Sequence, residues 1–528
     1  MPALFRHPRV HTGDNRPGVT GILVTDGVIT ATGDANQLAA LHTGLDVVDL
    51  PGELVLPGMH DAHIHTAAVA RSLVGLDLRA ATSLADALAL VRAHVDTMPD
   101  GAWIFGGRWD SNKWQVPVQP TAADLDQVSN GHPIALSSID GHTMWANTEA
   151  LRLAGITADW ADPPGGEAVR DADGNPTGIL REEAQGPIES LYEGPASGDL
   201  ASLLLLAQDE LLSVGLTSVT DLNGEDARAA YLRLKAEGNL KIRVTKGIPR
   251  DSLAAAIAEG RRSGIGDDWM RVGAVKLFSD GALGSRTSHM SRDFHGYPGN
   301  HGMPVMTTAQ LYDAARTAVD AGIAVATHAI GDQANHLVLD VYERIRAETG
   351  TRLPLSIEHT QFLQPADVER LVRLGVTASM QPTHCTSDIA LVDALLPDTD
   401  LVAYGWRSLI DAGAMVAFGS DAPVEEANPF FGLHAAVTRQ RPDGTPDGGW
   451  RPDERIAIDE AIAAYTSGSA RLAGDFDRKG RITPGRLADF IAVDTDITGD
   501  AVATDPGRIR DTRVLQTVVG GRTRWSRD

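Results

Sequence analysis

The segment PGMHDAHIH at 57–65 carries His63 and His65 two residues apart, directly after the apolar run Leu54, Val55 and Leu56. On a strand, residues i and i+2 share a face, so both imidazoles can emerge on one side of a strand end and hold a metal ion. A chain with 17 histidines in 528 residues meets this spacing by chance, so the pair needs partners in matching contexts. Four appear downstream, each closing a short apolar or β-branched run: Lys276 in VGAVKLFSDG, His328 in GIAVATHAIGD, His359 in LPLSIEHTQ and Asp421 in GAMVAFGSDAPV. Nitrogen and oxygen donors from separate strand ends suit zinc and related first-row divalent ions. A single cysteine, Cys385, excludes a cysteine-rich zinc or iron–sulfur site. The chemistry this predicts is metal-dependent hydrolysis.

Donors scattered over more than 350 positions converge only if the strands that carry them lie side by side. After His63 and His65 the pattern is strand followed by helix, repeated, with strands expected at 216–221, 241–247, 272–277, 323–328, 354–359, 375–380 and 414–419. With the first strand they make eight, and 307–321 and 366–374 read as helices with Ala/Leu/Val faces. The fold class is α/β, a (β/α)8 barrel, in which catalytic groups gather at the strand ends where all six donors fall. Short β-like runs at 18–34 and 45–58 are matched by runs at 484–496 and 514–525, which predicts one small β-sandwich built from both chain ends. The domains are accordingly 1–57 with 480–528 for the sandwich and 58–479 for the barrel.

The interval 66–213 is too long for a loop and is expected to be an insertion covering the barrel mouth. It contains GAWIFGGRWDSNKW and SSIDGHTMWANTEAL, which offer Trp109, Asp110, His142 and Trp145 as a substrate-facing surface. A packed core is the competing place for either tryptophan, and a structural role competes for His142. DADGNPTG at 171–178 reads as a hairpin turn, since it lacks the twelve-position pattern of a calcium loop.

Composition narrows the remaining classes. A hydrophobic content of 43%, with 54 Gly and 28 Pro, describes a soluble globular protein. The net charge of −24 argues against nucleic acid or an anionic membrane as partner and leaves self-association as a homo-oligomer open. No run approaches a transmembrane span, the first residues lack the apolar core of a secretory signal, and one cysteine allows no intrachain disulfide; a cytoplasmic enzyme is the expectation. SDGALGS at 279–285 lacks the dinucleotide fingerprint, and nothing local activates Cys385 as a nucleophile. His384, in QPTHC after the seventh strand, is a candidate substrate contact, with structural hydrogen bonding as its alternative.

PGMHDAHIH, RWDSNKW, DGHTMWAN, KLFSDGALGSRT, THAIGD, IEHTQ and GSDAPV together resemble the amidohydrolase superfamily. Within it they are similar to the family 3 group that includes YtcJ-like proteins and N-substituted formamide deformylases, over nearly the whole chain. The resemblance implies a distorted (β/α)8 barrel, the split sandwich, and a centre of one or two divalent ions, most simply Zn2+. His63 and His65 would hold the more buried ion with Asp421 close by, and His328 and His359 would hold a second ion or fix substrate and water. Lys276 as an ammonium has no lone pair to offer, and the resemblance implies its conversion by carbon dioxide to N6-carboxylysine, whose two oxygens bridge metals. An ordinary lysine paired with Asp280 or Asp421 is the alternative.

A divalent ion makes water a stronger acid and polarises a carbonyl, so Asp421 would take a proton from the attacking water and return it to the departing nitrogen. His142 would steady the developing oxyanion. The aromatic and apolar content of the insertion favours a small, partly apolar amide, with an N-substituted formamide the concrete case by resemblance. Carbamates, cyclic amides and esters fit the same chemistry, and a noncatalytic small-molecule-binding protein is the contrasting class.

Overall fold

The computed structural model describes residues 2–527 except 15, 43, 193–198, 398, 500, 501 and 503. Eight parallel strands occupy the expected runs: Met59–Ile64, Leu216–Asp221, Arg243–Pro249, Met270–Phe278, Val325–Ala329, Leu355–His359, Thr377–Met380 and Met415–Phe418. They are hydrogen-bonded in chain order, first to eighth, as one parallel sheet. Val219, Val244, Val275, Leu277, Val325, Ile357 and Phe418 are buried along these strands, as β-branched and aromatic residues are in a sheet covered on both faces.

The first and eighth strands close the barrel through the loop that follows the eighth. Asp421 N donates to His63 O at 2.7 Å, and Asp61 accepts from both Ser420 N and Ser420 Oγ. Gly419 makes the approach feasible, because a Cβ there would collide with His63 N and Asp61 Oδ1. The parallel register sets Phe278 opposite His328 and Ala329 opposite His359. Successive donor residues are therefore carried around one rim.

Helices return the chain between strands. Thr308–Asp320 starts on a reciprocal Thr307/Gln310 cap, and Pro365–Leu374 has proline in its first turn and ends on Gly375 with φ +61°. Both match the helices expected from their apolar faces.

The insertion combines helices, among them Leu84–Val95 and Leu200–Ser213, with a sheet of its own. Its six strands run in the order Gly166–Arg170, Pro176–Glu182, Thr143–Ala146, Ala135–Ser138, Gly106–Trp109, Leu76–Asp77. Gly106 and Gly107, with φ +117° and +119°, let this backbone pass against Leu76 and Ser137 where no side chain fits. Gly166–Arg170 and Pro176–Glu182 pair antiparallel across Asp171–Asn175, so the DADGNPTG segment is a hairpin turn. The insertion also has its own apolar core, which contains Trp109, Trp114 and Trp145 with Val91, Ile134, Leu136 and Ile179. Trp109 Nε1 donates to Leu136 O at 2.8 Å and Trp145 Nε1 to Thr121 O at 2.7 Å. Of the two places open to Trp109 and Trp145, substrate-facing surface and packed core, both side chains occupy the core.

Two four-stranded sheets from the chain ends form the sandwich. Ala3–Arg6, Gly21–Thr25, Val28–Gly33 and Asp46–Asp49 make one; Leu54–Pro57 joins Phe490–Val493, Val514–Val519 and Arg522–Ser526 in the other. Phe5, Ile22, Val55, Phe490 and Val518 fill the space between, with the Phe5 and Phe490 rings 5.0 Å apart edge to face. Buried Arg243, on the third barrel strand, donates twice to Asp489 at 2.6 and 2.8 Å and so bolts the sandwich to the barrel. No helix among the described residues is long and apolar enough to cross a membrane.

Candidate metal centre at the barrel mouth

Asp421 is the junction of the site. It follows the eighth strand with φ +59°, and His359 ends the sixth with φ +75°. Left-handed backbone is uncommon away from glycine, and its occurrence at two donor residues marks a place where geometry is held against local preference. The twist also ends the strand alternation, so that Glu358 and His359 both reach the same centre. Ser356 and Glu358 share one face, and Ser356 Oγ donates to Glu358 Oε1 at 2.7 Å.

Two donor groups meet on Asp421: His63, His65 and Asp421, and His359, His384 and Asp421, the ligand atoms of each group lying within 4.8 Å of one another. Asp421 Oδ1 is 3.4 Å from His63 Nε2 and 3.2 Å from His65 Nε2; Oδ2 is 4.0 Å from His359 Nδ1 and 3.9 Å from His384 Nε2. Asp421 Oδ1 and His384 Nε2 are both buried and make no hydrogen bond of acceptable geometry. Buried polar atoms are normally satisfied, and orphaned atoms converging from a carboxylate and imidazoles are what an ion would satisfy. This donor set fits a divalent cation.

The protonation states agree with that fit. Burial, reinforced by the Lys276 charge, holds His63 below its ordinary pKa and His328 well below. Burial and then His328 hold His359 well below. Neutral imidazole is the ligand form. Burial disfavours the Asp421 carboxylate, yet His63 and His65 outweigh it and keep Asp421 well below the usual carboxylate range. Two further partners orient the rings: His63 Nδ1 lies 2.7 Å from buried Glu358 Oε2, and His359 Nδ1 lies 2.9 Å from Gln381 Oε1. A carboxylate on the far nitrogen fixes the tautomer of a ligating histidine, as Glu358 does for His63, whereas Gln381 meets the same His359 nitrogen that faces Asp421.

Three expected residues differ in detail. His384, expected as a substrate contact, stacks on His359 at 5.9 Å and belongs to the second donor group. His328 is in neither donor group; its ring centre is 4.5 Å from that of His359, and its Nε2 lies 3.1 Å from Gly281 O. Lys276 is buried among these rings and has no direct ion pair with Asp280 or Asp421. Burial pushes its amine down to about 8 against the pull of Glu358 and Asp421. Asp280 instead accepts from His289 N, Ile330 N and Gly331 N, tying the loop after the fourth strand to that after the fifth.

The insertion reaches the site through His142, whose ring is 5.4 Å from His328. Burial opposes the imidazolium, but the charge and hydrogen bond of Glu182, 2.7 Å from Nδ1, hold His142 up to about 9. Asp110 lines a cleft of about 200 Å³ between the insertion and the loop after Asp421, together with Arg79, Arg108, Lys113, Glu425 and Glu426. Phe278, on the other side, is 37% exposed with its ring 5.5 Å from His328.

Glu358, Gln381 and Glu182 were not singled out in the sequence. The first stands beside His359 in IEHTQ, where strand alternation turns attention away from it. Gln381 and Glu182 carry no local signal, because their partners are 22 and 40 positions away.

The model of the amidohydrolase family matches residues 46–524. Protein LONG AFTER FAR-RED 3 of Arabidopsis thaliana is 31% identical over 536 residues, covering 98% of this chain and 91% of that protein. The N-substituted formamide deformylase of Arthrobacter pascens is 29% identical, covering 96% and 95%. The crystal structure of an uncharacterized metal-dependent hydrolase from Pyrococcus horikoshii OT3 superposes with a TM-score of 0.78 at 28% identity, covering 94% of this chain and 98% of that one. With this match and two His/His/Asp groups at the barrel mouth, the chain belongs to the amidohydrolase family and is a metal-dependent hydrolase of that superfamily.

Proposed function

We propose that this hydrolase cleaves the C–N bond of a small amide-like molecule, with an N-substituted formamide as the first substrate class to test. The observation that carries the reading is the buried Asp421 carboxylate shared by two histidine groups. A bound divalent ion, Zn2+ by its match to His and carboxylate donors, supplies Lewis acidity toward the carbonyl and makes water more acidic. His63, His65 and Asp421 would hold one ion, and His359 with His384 or His328 a second. Asp421 accepts a proton from the attacking water and delivers it to the leaving nitrogen. His142, held protonated by Glu182, donates to the oxyanion.

Phe278 offers an apolar face beside His328 for the substituent, and the charged cleft around Asp110 takes the polar end. The tryptophans expected to furnish an apolar surface fill the insertion core, so Phe278 carries that part of the argument. A cytoplasmic setting is supported by the lone cysteine, which is buried and unpaired. Formamides, N-acyl amines, carbamates, lactams and esters assayed side by side on zinc-loaded protein test the reading. Formamides should give the highest kcat/KM. Preference for another class would reassign the substrate, and binding without turnover at full metal occupancy would defeat hydrolysis.

Lys276 is proposed to carry the bridging carbamate. Its neutral amine adds carbon dioxide, forming a C–N bond and releasing one proton, and the depressed pKa raises the neutral fraction available for that step. The gained oxygens can bridge two ions where an ammonium cannot. Native mass spectrometry of fully loaded protein should show the added carbon dioxide, and Lys276→Ala should lose it together with second-site metal. An unmodified amine in active two-metal protein would refute the bridge.

A further inference from the structure

We propose that Glu182 is a positioning residue that aims His142 into the catalytic centre; this rests on the hydrolytic reading above. His142 and Glu182 lie on neighbouring antiparallel elements of the insertion, with Glu182 N donating to His142 O at 3.1 Å and His142 Nδ1 2.7 Å from Glu182 Oε2. An ionised carboxylate only accepts, so Nδ1 must carry the proton. Nδ1 and Nε2 lie on opposite edges of the ring, and Nε2 makes no hydrogen bond among the described residues. The ring that carries it faces His328, 5.4 Å away.

The carboxylate is itself fixed from the barrel side. Its second oxygen, Oε1, accepts from Thr287 Oγ1 at 2.8 Å, and Thr287 belongs to the loop after the fourth barrel strand, the strand that carries Lys276. Gly281 lies against both groups, and a Cβ there would collide with Glu182 Oε1 and Thr287 Oγ1; Gly281 O in turn meets His328 Nε2. Glu182 has φ +49°, left-handed backbone in a residue with no local reason to adopt it. A surface ion pair would require none of these features. Together they make a continuous chain from barrel loop to carboxylate to imidazole, so the insertion delivers His142 in one orientation only when docked on the barrel.

A salt bridge that merely fastens the insertion would change stability or metal content, and would not act through His142. Glu182→Ala and Glu182→Gln should therefore be compared in wild-type and His142→Gln backgrounds, with metal content, Tm, kcat and KM measured on each preparation. Glu182→Ala should lower kcat by about 10–100-fold, the scale for losing a partner that orients a catalytic imidazole, with KM and metal little changed. Glu182→Gln keeps an acceptor oxygen for Nδ1 and should retain more turnover, and added acetate should restore part of the loss in Glu182→Ala. In the His142→Gln background neither substitution should cost more, since both act through one ring.

Independently of turnover, a downfield imidazole N–H resonance lost in His142→Gln should also be lost in Glu182→Ala. Unchanged kcat, full additivity with His142→Gln, or loss of metal in both Glu182 variants would overturn the positioning role. If wild type turns over nothing in the amide panel while the resonance depends on Glu182 as stated, the hydrolytic reading fails and the geometry stands.

Discussion

Asp421→Asn should retain the fold and most of its metal while turnover falls by about 10²–10⁴-fold, the range for losing general acid–base catalysis. Asparagine nearly preserves the shape of aspartate and keeps a carbonyl oxygen for His63 and His65, but its amide cannot take a proton from water at neutral pH. The closure of the barrel does not depend on the charge, because it is the backbone N–H of Asp421 that donates to His63 O and the Ser420 hydroxyl that meets Asp61. Asparagine also tolerates the left-handed backbone at φ +59°, so the substitution adds no strain of its own. Metal analysis and kinetics on one preparation separate the two roles of this carboxylate. A turnover defect with full metal locates the loss in proton transfer, whereas parallel loss of metal and turnover assigns Asp421 to ligation alone. Near-normal turnover at full occupancy would remove it as the base, and His384, whose buried Nε2 has no hydrogen-bond partner, would be the next group to substitute.

The barrel was legible because its signal is local. Each strand is a short run of β-branched and apolar residues, and the residue that ends it carries chemistry, so periodicity and motif agree on the same positions. The sandwich was legible for a related reason, since isolated alternating runs at both chain ends have nowhere to bury an apolar face except against each other. The sheet inside the insertion was not, apart from its hairpin turn at 171–178. Its strands are two to seven residues long, one of them opens with Gly106 and Gly107, and its tryptophans signal burial without saying in which core.

The metal centre divides along the same line. His63, His65, His359 and Asp421 announced themselves by spacing and context. The second group's use of His384 depends on a stacked ring geometry that the chain sets only once the sixth and seventh strands pair. Glu358 and Glu182 act through hydrogen bonds across 295 and 40 positions, which no window of sequence spans.

Replacing both His63 and His65 with alanine should remove metal and activity together. The pair supplies two of the three donors in the first group, and a structural or catalytic zinc site holds its ion with three or four. Asp421 alone would then face the ion from that side, with the other imidazoles drawn to its second oxygen. The two histidines are unequal in surroundings. His63 is buried and tied to Glu358, whereas His65 is 27% exposed and has no second partner among the described residues. His63→Ala therefore also strips buried Glu358 of its imidazole partner and should lower Tm, since a buried carboxylate left without its hydrogen bond is costly. His65→Ala should cost metal affinity with little change in Tm. This split distinguishes a ligand from a fold-supporting residue within one motif, because a purely structural pair would lower Tm in both variants and leave the ion in place. Metal quantified after exhaustive dialysis, with thermal unfolding of each single variant, gives the reading. Full occupancy and normal turnover in the double variant would show that the ion binds elsewhere, and the orphaned Asp421 and His384 atoms would then need another occupant.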